Sequence, residues 1–106
     1  MIREITASEL QARRAAGTGP VVLDVREDWE LALARIADVV HIPMNEIPAR
    51  LSELDPDREI VVMCKAGGRS LQVAHFLDRN GFRSVANLTG GILAWSRDVD
   101  PSVPQY

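Results

Sequence analysis

Five short strand candidates, each followed by a segment of a different period, punctuate this chain. They fall at residues 2–5, 21–25, 39–42, 60–63 and 85–88. Ile60-Val61-Val62-Met63 is apolar throughout, and Val21-Val22-Leu23-Asp24-Val25 is broken by a single acid. A strand with one wet face alternates polar and apolar residues, so an unbroken run marks a strand covered on both faces, as in a parallel sheet. Parallel strands need crossover connections, and those are usually helices. The pattern therefore predicts an α/β fold with a central, mostly parallel five-stranded sheet flanked by helices on both faces.

The intervening segments carry helix signals. Thr6-Ala7-Ser8-Glu9 is a capping box, with Thr6 as N-cap and Glu9 three residues on, and Ile5 and Leu10 are spaced as a hydrophobic staple around it. That helix is expected to run to about Ala16, with Gly17 as its left-handed stop. Asp28 is placed to cap a short helix through Trp29, Leu31 and Leu33. Residues 45–54 have helical spacing, with Pro48 admissible in the first turn. Ser70 is the expected N-cap of a helix through Val73, Ala74 and Leu77, ended by Gly81. Gly90-Gly91 leads into a last short helix containing Trp95, and residues 98–106 are expected to be irregular.

Length and composition bound the function. At 106 residues the chain is expected to form one domain over 1–106. A net charge of −3 argues against binding nucleic acid through a broad basic field. No apolar run reaches the roughly 20 residues of a membrane helix, and residues 1–6 hold no apolar leader, so a reducing cytoplasm is the expected compartment. A single cysteine excludes both an internal disulfide and a four-cysteine zinc site, and no metal or cofactor is expected. Eleven arginines and one lysine supply the positive charge, and that lysine, Lys65, directly follows the cysteine.

A lone cysteine is ordinarily a small buried hydrophobe. The surroundings of Cys64 argue otherwise. It ends the most apolar strand, and Lys65, Ala66, Gly67, Gly68 and Arg69 lead from it to the helix at Ser70. In parallel α/β sheets ligands sit beyond the carboxyl ends of the strands. Glycines let the backbone curl and turn its amides inward, which builds a nest for an anion. The helix N-terminus adds a partial positive charge, and Lys65 and Arg69 add whole ones. All of these favour thiolate over thiol. A free thiol at a pKa of about 8.5 is a few per cent ionised at pH 7, and lowering it by two units takes only about 2.7 kcal/mol. The result is a nucleophile in a cradle for an anion.

Spacing narrows the choice of anion. Cysteine-dependent phosphatases place five residues between Cys and Arg, whereas only four separate Cys64 from Arg69, and Met63 stands where phosphatases usually place a histidine. A smaller ring suits a smaller guest, such as one sulfur carried as a persulfide. The segment is not a nucleotide-binding loop, because the Gly-Lys-Ser/Thr ending is absent.

At these residues the chain resembles the rhodanese (thiosulfate sulfurtransferase) family. Cys64-Lys65-Ala66-Gly67-Gly68-Arg69-Ser70 is similar to its six-residue active-site loop. Leu23-Asp24-Val25-Arg26-Glu27 with Glu30, Ile42-Pro43-Met44-Asn45-Glu46-Ile47, and Asn87-Leu88-Thr89-Gly90-Gly91-Ile92-Leu93-Ala94-Trp95 resemble its other signatures, in the same order. Residues 36–41 lack the glycine that commonly precedes the second of these. The ending, residues 100–106, is similar to rhodanese domains fused to adenylyltransferases that activate sulfur-carrier proteins.

The resemblance implies a rhodanese-like three-layer domain in which Cys64 takes the outer sulfur of thiosulfate or of a persulfide donor. Cys64 holds it as a persulfide and yields it to a thiol or cyanide. The amides of Lys65, Ala66, Gly67, Gly68, Arg69 and Ser70 would stabilise the anion, with Arg69 and Lys65 attracting the donor. Partners would include a cysteine desulfurase, a sulfur-carrier protein or its adenylyltransferase, with neither nucleic acid nor membrane. Asp24 and Arg26 are assigned a supporting ion pair beside the loop, because an acid in an apolar strand needs a partner. His41, Trp29 and Trp95 are assigned to packing, and His75 to the helix surface. Two alternatives stay open. One is a relay module that receives persulfide from a partner without turning over thiosulfate. The other is a thiol redox sensor or small phosphatase, opposed by the absent resolving cysteine and the short loop.

Overall fold

A computed structural model describes residues 2–106. Five strands, β1 (Arg3–Ile5), β2 (Val21–Asp24), β3 (Val40–His41), β4 (Glu59–Met63) and β5 (Ser84–Leu88), form one sheet in the order β1-β5-β4-β2-β3. Every pairing is parallel, so the sheet is parallel throughout rather than mostly. The most apolar strand, β4, is its centre.

Successive residues point to opposite faces, and each face has its own helices. Val22, Val61, Met63, Ala86 and Leu88 pack with Leu10 of α1 (Ala7–Ala15) and with Ile92 and Trp95 of α5 (Gly91–Asp98). Leu23, Val25, Ile60, Val62 and Val85 pack with Ile47 of α3 (Ile47–Arg50) and with Val73, Ala74 and Leu77 of α4 (Gly68–Arg79). This is the expected three-layer arrangement. The remaining helix, α2 (Asp28–Leu33), follows the end of β2.

The capping box at Thr6 and Glu9 is present in both directions, at 3.1 and 3.2 Å. Four local expectations are corrected. The N-cap of α2 is Glu27, one residue before Asp28. The stretch 45–54 breaks into a 3-10 turn (Met44–Glu46), α3 and a second 3-10 turn (Leu51–Glu53), with Pro48 near the start of α3. The N-cap of α4 is Gly67, not Ser70, which lies buried in the first helical turn. Of the two tryptophans assigned to packing, Trp95 is buried, but Trp29 is 62% exposed and meets Tyr106 in an edge-on ring contact.

Two strand ends are brought level. β2 and β4 are neighbours, with Asp24 beside Met63, so the residues after each strand emerge side by side. The amide of Val25 donates to the carbonyl of Met63 at 3.0 Å, which carries the pairing one step past β2.

Candidate active site

The loop after β4 is shaped from behind. The amides of Ile92 and Leu93, in the first turn of α5, donate to the carbonyls of Cys64 and Lys65 at 3.0 and 3.2 Å. With those carbonyls held on the α5 side, the following amides are free to turn the other way. Gly91 makes the approach possible: a Cβ there would lie 2.4 Å from both carbonyl oxygens, and its φ of +59° is one that L side chains rarely adopt. The glycine pair that looked like a turn into a helix is the seat of the cysteine loop.

On the open side the amides converge on sulfur. Cys64 is buried, and the Gly67 amide donates to its Sγ at 3.1 Å. Gly67 reaches this position with φ at +117°, which again calls for glycine. The Ser70 hydroxyl lies 3.3 Å from Sγ. Burial pushes the Cys64 thiol up. The Ser70 hydroxyl and the amides of Ser70, Gly67 and Ala66 outweigh burial and hold the thiol below its ordinary value. The shift therefore has its source largely in neutral dipoles at the start of α4.

The arginine of the loop is committed elsewhere. Arg69 makes a two-pronged pair with Glu30 of α2, at 2.6 and 2.9 Å. Hydrogen bonding from Arg69, aided by the Tyr106 hydroxyl and opposed by burial, pulls the Glu30 carboxyl down to about 2. Lys65 places its Nζ 4.7 Å from the centroid of the Tyr106 ring. Ala66 and Gly68 are exposed at the loop's rim.

Asp24 and Arg26 form the expected pair, and both side chains are fully buried. Arg26 donates from Nε to Oδ1 at 3.0 Å and from Nη2 to Oδ2 at 2.8 Å. Arg26 also donates to the Tyr106 hydroxyl at 3.0 Å, and that hydroxyl donates to Glu30 at 2.6 Å. Asp24, Arg26, Tyr106, Glu30 and Arg69 are thus one chain of contacts running from the end of β2 to the loop. His41 lies 2.7 Å through Nε2 from the carbonyl of Arg26, in keeping with a packing role, and His75 is exposed on α4. Among the described residues, no group of three or more His, Cys, Asp or Glu side chains is placed to hold a metal ion.

Residue-by-residue reading passed over Tyr106, Asn87 and the role of Gly91. Asn87 was visible as an amide inside an apolar strand, where a polar group must find partners. It accepts from Ser70 at 2.5 Å. Tyr106 lies in a tail whose two prolines suggested only irregular chain.

Residues 6–98 match the model of the rhodanese-like domain. The chain belongs to the rhodanese-like family. It is 39% identical over 103 residues to the sulfurtransferase of Allochromatium vinosum, covering 97% of this chain and 96% of that protein. It is 31% identical to the adenylyltransferase and sulfurtransferase MOCS3-1 of Zea mays, where it covers 23% of that longer protein. The rhodanese-like domain protein of Staphylococcus aureus superposes with a TM-score of 0.86 at 30% identity, covering 99% of both chains. The cysteine loop, the β2 end and the Gly90-Gly91 turn all lie within the matched rhodanese-like residues. Among the described residues no helix is long and apolar enough to cross a membrane.

Proposed function

We propose that this rhodanese-like chain, acting as one domain over residues 1–106, is a sulfurtransferase that carries sulfane sulfur on Cys64. The observation that carries the reading is the Cys64 sulfur itself, buried, with the Gly67 amide 3.1 Å away and the Ser70 hydroxyl at 3.3 Å. In the first step the Cys64 thiolate attacks the outer sulfur of thiosulfate. The sulfur–sulfur bond of the donor breaks, sulfite leaves with the electron pair, and Cys64 becomes a persulfide. In the second step cyanide or a thiolate attacks the outer sulfur, and the Cys64 thiolate is released. The amides of Lys65, Ala66, Gly67, Gly68, Arg69 and Ser70 serve the negative end of the persulfide as preorganised donors. Asp24 and Arg26 support the loop from the neighbouring strand end and touch no reacting atom.

One observation favours a second reading, in which a protein persulfide replaces thiosulfate. Arg69 is already paired with Glu30, which lessens its pull on a free dianion. A cysteine desulfurase would then be the donor, and a sulfur-carrier protein or its adenylyltransferase the acceptor, in a reducing cytoplasm.

Intact mass after incubation with thiosulfate, with and without cyanide, tests both readings. The expected result is a gain of one sulfur on Cys64, lost on adding cyanide with formation of thiocyanate, and no gain in Cys64→Ser. Because two oxygens add nearly the same mass, an adduct that resists cyanide is a sulfinic acid and contradicts the proposal. No adduct with thiosulfate, but one with a desulfurase and cysteine, selects the relay reading. No adduct with either donor rejects both.

A further inference from the structure

Ser70 has a single hydroxyl proton and faces three acceptors. These are Asn87 Oδ1 at 2.5 Å, the Gly67 carbonyl at 3.2 Å and Cys64 Sγ at 3.3 Å. The shortest contact is with Asn87. That contact requires the Asn87 amide to present its oxygen, and its surroundings fix it that way. Nδ2 faces the Gly67 carbonyl at 3.3 Å and the Glu4 carboxylate at 3.3 and 3.4 Å, all acceptors. A flipped amide would set its oxygen against all of them. The placement comes from the sheet itself, since Glu4 of β1 and Asn87 of β5 are register partners. Thr89 holds Glu4 in turn, donating to Oε1 at 2.8 Å.

The consequence falls on sulfur. While Ser70 donates to Asn87, it turns a lone pair toward Cys64 Sγ. That arrangement suits a thiol, whose S–H donates to Ser70. It also suits a persulfide, whose negative charge sits on the outer sulfur. The bare thiolate draws on the same proton in competition with Asn87, so the Ser70 hydroxyl holds the thiol down less than it would alone. We propose that Asn87, oriented by Glu4, is a positioning residue that claims the Ser70 proton, restrains ionisation of Cys64 and favours its loaded state. This rests on the reading of Cys64 as the sulfur-carrying thiol. The charged and titratable groups nearest Cys64 on the elements packed about it are Lys65 and Arg69 on its loop and helix, Glu30 on α2, Glu4 on β1, Asp24 at the end of β2, Arg26 beyond it, and Tyr106 in the tail. Asn87→Ala alters none of them.

The test is the pH dependence of Cys64 alkylation by iodoacetamide in the full chain. Asn87→Ala frees the Ser70 proton for the thiolate, so the profile is expected to move down by about one pH unit, with up to about tenfold faster alkylation on its acid side. With Ser70→Ala already present, Asn87→Ala is expected to cause no further shift. Loss of a merely structural asparagine would loosen the loop and leave the profile unmoved or move it up, which overturns the proposal, as does a shift that persists without Ser70. Glu4→Gln keeps the test available if Asn87→Ala does not fold, because Glu4 is exposed. In that variant Thr89 would retain the side-chain oxygen and leave the new amide nitrogen facing Asn87, inverting the Asn87 amide. A smaller downward shift is expected, unchanged in 0.5 M salt. A shift abolished by salt assigns it to the lost charge and contradicts the orienting role. Alkylation needs no sulfur donor. If persulfide loading fails while these shifts appear, the sulfurtransferase reading falls and the proton assignment stands; the reverse pattern removes only the assignment.

Discussion

The ends of β2 and β4 lie side by side, yet they handle charge in opposite ways. Beyond β4 the loop gathers neutral dipoles, the amides of Ala66, Gly67 and Ser70 and the Ser70 hydroxyl, around one sulfur. From the end of β2 outward five ionisable side chains, Asp24, Arg26 and Glu30 together with Tyr106 of the tail and Arg69 of α4, satisfy one another. An ion pair in the cup would meet the persulfide with a charge already committed to a counterion. Amides fixed by the backbone have no such competitor and need no reorganisation when negative charge arrives. The formal charges therefore act as framework, and the uncharged groups face the chemistry.

The largest effect that would break this contrast lies in the framework. Arg26→Leu leaves the fully buried Asp24 without its counter-charge. Removing one partner of a buried pair typically costs about 3–5 kcal/mol. Urea unfolding is expected to show a loss of that size, a large part of the roughly 5–15 kcal/mol that holds a domain together. A loss below about 1 kcal/mol would mean that the pair is not what holds the β2 end.

A smaller effect sharpens the contrast through acid. Glu30 is held down to about 2 by Arg69, with Tyr106 helping. Its folded form binds a proton less readily than its unfolded form, so its contribution is complete above the ordinary carboxylate range and is lost as pH falls from about 4.5 toward 2. Allowing for screening at the partly exposed Arg69, about 2 kcal/mol should disappear over that window. Glu59, paired with Arg13 and Arg3 at the far end of β4, titrates over the same range. Unfolding free energy measured at steps between pH 5 and pH 2 should therefore fall less steeply, but still fall, in Glu30→Gln. An unchanged slope in that variant would remove Glu30 from the framework.

Most of the fold was legible because period-2 burial on two faces leaves an unmistakable mark. Residues 60–63, and 21–25 apart from Asp24, are apolar because α1 and α5 cover one side of them and α3 and α4 the other. The cysteine loop was legible from its glycines and its place at a strand end. What escaped depends on contacts between residues far apart in the chain. Tyr106 reaches Glu30 across 76 residues, and Ser70 reaches Asn87 across 17. Ser70 looked like a helix cap because serine so often serves as one. Here Gly67, in the left-handed region, caps α4 three residues sooner and leaves the Ser70 hydroxyl for Asn87 and Cys64. Trp29 was assigned to packing as a large aromatic, whereas α2 leaves it mostly exposed, in edge contact with Tyr106.

The central claim is that the cup holds its sulfur anion with neutral donors. The most direct test is the lifetime of the Cys64 persulfide, loaded at low salt and followed by intact mass in increasing sodium chloride. At 1 M salt the screening length is about 3 Å, short enough to suppress an exposed cation but not amides in direct hydrogen-bond contact with Sγ. The account predicts a lifetime that changes by less than about twofold between 0.05 and 1 M. A several-fold shortening would show that Lys65 and Arg69, not the loop amides, hold the persulfide, and would contradict it.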